Sequence, residues 1–120
     1  MNHFFRAFKY SMQGLRAAYK TEVAFRQEVH LFAILFPASF FVSNSIYDFL
    51  LLTSCMVFVL MAELLNTGLE NTIDKTIPQK SKRAGMAKDQ GSAAVFIGLV
   101  YTTICWALII YKNFLANVFL

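Results

Sequence analysis

Three long apolar blocks, separated by short polar or basic stretches, dominate this 120-residue chain and limit what it can become. The most hydrophobic runs from Ala93 to about Leu120. A second starts near Tyr47 and Asp48 and runs through LLLTSCMVFVLMAELLNTGLENTIDK, and a third spans Val29 to about Ser43 with HLFAILFPASFFV in its middle. Blocks of this kind need lipid or one another to cover them. Charged residues make up only 15% of the chain against 58% hydrophobic. A soluble domain of this size carries roughly a quarter charged residues. The sequence therefore predicts one domain of the all-α membrane class: an N-terminal amphipathic surface helix, then three transmembrane helices forming a bundle. The expected boundaries are 4–27 for the surface helix, 28–44 and 47–75 for the first two spans, 76–87 for a basic loop and 88–118 for the third span.

The surface helix follows from its periodicity. At 100° per residue Phe4, Phe8, Met12, Leu15 and Tyr19 share one stripe, and Arg6, Lys9, Gln13, Arg16 and Lys20 lie on the adjacent flank. Aromatic residues beside basic ones suit a helix lying in the headgroup layer. The block from Val29 is short for a span, so it must borrow a turn from the charged stretch before it or the turn after it. Pro37 sits inside that block, where neighbouring helices tolerate it. Trp106, Tyr111 and Lys112 read as interfacial anchors near the far end of the third span.

Lys and Arg are sorted along the chain. Arg6, Lys9, Arg16, Lys20 and Arg26 precede the first span, and Lys75, Lys80, Lys82, Arg83 and Lys88 lie between the second and third. The Ser43-Asn44-Ser45 turn has none, and the C-terminal end has only Lys112. The positive-inside rule then places the N-terminus and the basic loop of a multi-pass protein in the cytoplasm. The net charge of +4 belongs to this arrangement beside apolar blocks, and no nucleic-acid partner is expected. Cys55 and Cys105 both fall in apolar blocks without metal-ligand spacing, so they read as small core residues. The N-terminus lacks a continuous apolar region, and a cleaved signal peptide is not expected. His3 and His30, also without metal-ligand spacing, read as interfacial or packing residues.

Chemistry concentrates in the second block. Glu63, Asn66, Glu70 and Asp74 are spaced three, four and four apart and so form one polar stripe down a helix, flanked by Thr67 and Asn71. A carboxylate at the middle of a membrane helix costs on the order of 3 kcal/mol, so the stripe needs a reason. Residue chemistry leaves three open. The acids pair with Lys75, Arg26 or Lys88 to fix packing; they form a proton or cation path; or they hold Mg²⁺ for phosphoryl transfer beside a lysine that meets phosphate. No GxxxxGK[ST] and no glycine-rich kinase loop is present, so a nucleotide site would not belong to those folds.

The order of motifs adds to this. Tyr10-Ser11, Gly14-Leu15-Arg16-Ala17-Ala18, Glu22 and Ala24-Phe25-Arg26-Gln27-Glu28 resemble the N-terminal signature of the prokaryotic diacylglycerol kinase family. Glu63-Leu64-Leu65-Asn66 with Glu70 and Asp74 matches its ExLNxxxExxxD pattern, and Ala87-Lys88-Asp89-Gln90-Gly91-Ser92-Ala93-Ala94 matches the start of its last helix. The resemblance covers nearly the whole chain. It implies an integral-membrane lipid kinase of the bacterial inner membrane that is a homotrimer with sites shared between subunits, transferring the γ-phosphate of ATP to diacylglycerol with Mg²⁺ and giving phosphatidic acid.

By matching motif, Glu63 would be the general base and Glu22 and Glu70 the Mg²⁺ ligands. Tyr10, Ser11, Lys88 and Asp89 would bind ATP, with Gln79, Lys80 and Ser81 as further nucleotide contacts. Arg16, Gln27, Glu28, Asn66 and Ser92 would line or brace the lipid end. The family's arginine near the N-terminus has His3 and Arg6 as its nearest counterparts here. A related branch phosphorylates undecaprenol; AFRQE and KDQGSAA look more like the diacylglycerol branch, while ELLNTGLEN fits either. Readings from outside the family are a small ion-conducting subunit and a structural membrane subunit.

Overall fold

The structure is a computed structural model that describes residues 2–76 and 81–116. Four helices follow one another: α1 (Asn2–Thr21), α2 (Val23–Val42), α3 (Ile46–Thr76) and α4 (Lys82–Ile110), the last continuing into a π-helical turn, Tyr111–Leu115. Among the described residues there is no strand. The all-α class expected from the sequence is what forms.

The amphipathic helix stands off the bundle. Ala18 is its one buried residue, while Phe4, Phe5 and Phe8 remain mostly exposed. α1 and α2 are separated by Glu22 alone, whose backbone is extended at φ −113°, ψ 113°. The charged stretch after it joins α2, as the short apolar block requires. The break needs neither Gly nor Pro. The Thr21 hydroxyl bonds back to the Ala17 carbonyl, and the Arg26 guanidinium donates to the carbonyls of Tyr19 and Lys20. The Tyr19 and Lys20 carbonyls, left without amide partners where α1 ends, are thereby satisfied.

At the other end of α2 the turn is built from its own side chains. Ser45 Oγ accepts from the Asp48 amide at 3.2 Å, and the Asp48 carboxylate reaches back to the Asn44 amide at 3.1 Å. This reciprocal pair works as a capping box starts a helix. The expected loop to residue 87 is shorter in the structure. Ser81 accepts from the Ala84 amide at 3.0 Å and caps α4, so Gly85 lies inside a helix.

α3 and α4 form the core of the bundle. Leu52, Cys55, Met56 and Val59 are buried on α3, and Val95, Cys105 and Ile109 on α4. Both cysteines are free and buried. Two glycines let the helices approach: a Cβ on Gly98 would stand 3.1 Å from a Val59 methyl, and one on Gly91 would overlap the Asn66 amide. Small residues at a helix contact allow this in membrane bundles. Two helical stretches are long and apolar enough to cross a membrane, Ile46–Lys75 with mean hydropathy 2.0 and Lys82–Leu115 with 2.3.

The length of α3 positions the site. Its 31 residues extend roughly 46 Å at 1.5 Å per residue, well beyond a ~30 Å hydrocarbon layer. Counted from Ile46, Glu63 lies about 26 Å along the helix, close to the far edge of such a layer. Asn66 reaches that edge, and Glu70 and Asp74 continue past it.

Candidate active site

α3 supplies the floor of the site and the elbow before α2 supplies its wall. Glu63 is only 6% exposed, with the neighbouring Thr67 also buried. Glu63 lies within electrostatic reach of Glu22 at the elbow, Glu28 on α2 and Glu70 about two turns below it. Glu63 thus has three like-charged neighbours, drawn from the elbow, α2 and α3 itself. Asn66 Nδ2 donates to Glu70 Oε1 at 3.3 Å, which leaves Asn66 Oδ1 buried without a partner, as is Glu28 Oε2.

Among the described residues no Lys or Arg forms an ion pair with any of these four carboxylates. Among the described residues there are two ion pairs, Lys88–Asp74 at 2.9 Å and Lys112–Asp48 at 3.1 Å. Arg26, one turn from Glu22, is committed to backbone carbonyls instead. The packing explanation for acids in α3 therefore holds for Asp74 and does not extend to Glu63 or Glu70. Lys88 sits within electrostatic reach of Glu70 without pairing with it.

The donor chemistry fits Mg²⁺. The converging groups are hard oxygen donors with uncompensated like charge. Among the described residues no three His, Cys, Asp or Glu side chains close on one point. That is compatible with an ion held by one or two carboxylates together with substrate phosphates, the usual arrangement for Mg²⁺. An apolar hollow lined by Leu31, Phe32, Leu35, Val59 and Leu99 opens beside Glu28.

Other sequence-derived candidates lie outside this gathering. Tyr10, Ser11 and Arg16 are exposed on α1, where the Ser11 hydroxyl bonds back to the Ala7 carbonyl. Gln27, Asp89 and Ser92 are exposed as well. Ser81 is a helix cap, and Gln79 and Lys80 lie outside the described residues. Two features escaped the sequence reading. Tyr19 bonds His30 across the elbow, and Asp48 is enclosed by Asn44, Lys112 and Asn113. The Ser-x-x-Asp spacing of Ser45 and Asp48 was the available signal for the second.

Comparison with known proteins decides the family. The family model described as prokaryotic diacylglycerol kinase matches residues 9–110. The chain belongs to the prokaryotic diacylglycerol kinase family. It is 40% identical to the diacylglycerol kinase of Haemophilus influenzae over 111 residues, covering 92% of this chain and 94% of that one. It is 38% identical to the Pseudomonas aeruginosa diacylglycerol kinase over 101 residues, 84% and 82% of the two chains. With the Escherichia coli K12 diacylglycerol kinase it shares 36% over 110 residues, 91% and 89%. The match takes in α2, α3 and α4 whole, so every acidic residue of the site falls inside the family region of this diacylglycerol kinase family member.

Proposed function

We propose that this chain is an ATP- and Mg²⁺-dependent kinase that phosphorylates diacylglycerol to phosphatidic acid at the cytoplasmic face of the bacterial inner membrane. Lipid kinase activity follows from the family. The finer reading is carried by one observation: Glu63 is buried, with Glu22, Glu28 and Glu70 as its electrostatic neighbours, and forms no ion pair among the described residues.

Glu63 is the general base. It is buried and unpaired, and it stands near the expected lipid–water boundary, where a diacylglycerol hydroxyl resides. Its carboxylate accepts the hydroxyl proton as the oxygen attacks the γ-phosphorus and the bond to ADP breaks. Glu22 and Glu70 would hold Mg²⁺, which when bound neutralises charge on the phosphate oxygens. Asn66 orients Glu70 through their hydrogen bond. Lys88, exchanging Asp74 for a phosphate, brings a cation beside Glu70, and Asp89 follows it at the nucleotide. Glu28 and Gln27, with the apolar hollow below Glu28, receive the lipid.

Three spans and a homotrimer belong to this proposal. α2 is the third span, with the N-terminus and the basic segment inside, as the Lys and Arg distribution requires. Only 17% of the most apolar stretch of α4 is buried within the chain, which leaves surface for lipid and for neighbouring copies. Tyr10, Ser11, Arg16 and Ser92 are exposed on their own chain, as residues serving a neighbour's site would be. ATP consumption that requires added diacylglycerol and Mg²⁺ supports the reading; hydrolysis indifferent to lipid, or none from folded protein, overturns it.

A further inference from the structure

Glu22 sits at the only extended residue between α1 and α2, so its place depends on what fixes that elbow. Nothing in its own side chain does so. Glu22 has backbone bonds to Ala18 and from Arg26, at 2.9 and 3.1 Å, which are ordinary helical bonds on either side of the break. Two residues of α2 grip the end of α1 instead. Arg26 NH1 donates to the Tyr19 carbonyl at 2.8 Å and the Lys20 carbonyl at 3.3 Å. One turn later, His30 Nε2 and the Tyr19 hydroxyl are hydrogen-bonded at 2.7 Å, their rings edge to face with centroids 5.7 Å apart. The Arg26 guanidinium also lies over the Tyr19 ring, 6.0 Å from its centroid.

Arg26 and His30 are four residues apart and share one side of the start of α2, which Glu22 directly precedes. The grip therefore spans the elbow at Glu22, joining the last turn of α1 to the first two turns of α2. Backbone bonds alone leave a one-residue elbow free to change angle, because a single extended residue has two soft dihedrals. A side-chain bond spanning eleven residues removes that freedom.

We propose that Tyr19 and His30 are positioning residues: their hydrogen bond, beside the Arg26 clamp, sets the α1–α2 angle and thereby holds Glu22 toward Glu63 and Glu70. This rests on the reading of Glu22 as a Mg²⁺ ligand. The hydroxyl is the working part, so Tyr19→Phe keeps the ring packing and the Arg26 contact and removes only the bond. His30→Leu removes it from the other side, and His30→Gln retains a polar partner.

Two readouts test it in the full-length protein in lipid–detergent micelles. The first is hydrogen exchange over residues 19–26, which needs no turnover. The second is the Mg²⁺ concentration for half-maximal activity, taken separately from kcat. Tyr19→Phe and His30→Leu are expected to speed exchange at the elbow and to raise the Mg²⁺ requirement, each about fivefold, the effect of one hydrogen bond. Exchange in α3 stays unchanged, and His30→Gln recovers most of both. Faster exchange with an unchanged Mg²⁺ requirement overturns the proposal, as does no change in either. Glu22→Gln separates the two readings. If it leaves the Mg²⁺ requirement untouched, the metal role of Glu22 fails and this proposal with it. If it raises the requirement while Tyr19→Phe does not, only the positioning role fails.

Discussion

Lys112 Nζ reaches both oxygens of Asp48 at 3.1 Å, although 64 residues separate them in the chain. Asn113 completes the enclosure, donating to Asp48 Oδ2 at 3.0 Å and to the Val42 carbonyl at 2.6 Å. One carboxylate thus joins the end of α2, the start of α3 and the π-helical turn after α4. Its side chain is 8% exposed against 56% for Lys112, so the desolvated partner is the acid. Replacing Lys112 by Met leaves that charge with only neutral donors. The expected loss is about 1–2 kcal/mol of stability, between exposed and buried pairs, because the lysine is half exposed and Asn113 and the Asn44 amide remain. Asp48→Asn should cost less, since it removes the charge together with its need for a partner. Thermal unfolding in detergent checks the order, and a smaller loss for Lys112→Met than for Asp48→Asn contradicts it.

The contact between Gly91 and Asn66 couples packing to the site. A methyl group at Gly91 meets the Asn66 amide, whose Nδ2 holds Glu70. Gly91→Ala is expected to cost on the order of 1–3 kcal/mol as overpacking and to displace Asn66 from Glu70. Gly98→Ala is the control, because its Cβ would press only on a Val59 methyl at 3.1 Å. Turnover per folded protein should drop for the first variant and stay near wild type for the second. Equal turnover in both would remove the coupling.

Removing the base should separate activity from folding. Glu63→Gln keeps the shape and deletes one of several like charges that repel one another. Stability is expected to hold or rise, while turnover falls by about 10²- to 10⁴-fold, the usual range for loss of general base catalysis. Calorimetry and a steady-state assay on one preparation read both. A variant that turns over normally ends the assignment of Glu63.

The Lys88–Asp74 pair lies in water, with side chains 41% and 61% exposed. Exposed pairs contribute about 0–1 kcal/mol, so neither Lys88→Met nor Asp74→Asn should shift the melting temperature appreciably. Lys88→Met should raise KM for ATP by at least about tenfold, as loss of a charge-assisted phosphate contact implies. An unchanged KM for ATP would place Lys88 outside the nucleotide site.

Local pattern made much of this molecule readable before its structure. The aromatic stripe from Phe4 to Tyr19 marked α1, and the three-four-four spacing from Glu63 to Asp74 marked the polar face of α3. What escaped is non-local or made by side chains. The Asp48–Lys112 enclosure joins residues whose partnership depends on how α3 meets α4, and no window of sequence contains both. The break at Glu22 carries no Gly or Pro, and Arg26, a turn beyond it, takes the Tyr19 and Lys20 carbonyls at the end of α1. The early start of α4 turned on Ser81, a serine whose capping role was hidden by the basic residues around it. For the site, the stripe told which acids share a face. It did not tell that Asp74 is paired while Glu63 and Glu70 are not, and that difference carries the functional argument.

The most direct test is phosphate transfer from labelled MgATP by the purified protein in lipid–detergent micelles, with dioleoylglycerol and undecaprenol offered side by side. Label in phosphatidic acid, lost in Glu63→Gln, is the predicted result. Label in undecaprenyl phosphate alone would contradict the assigned substrate, and no label in either from folded protein would contradict the kinase mechanism built on the four carboxylates.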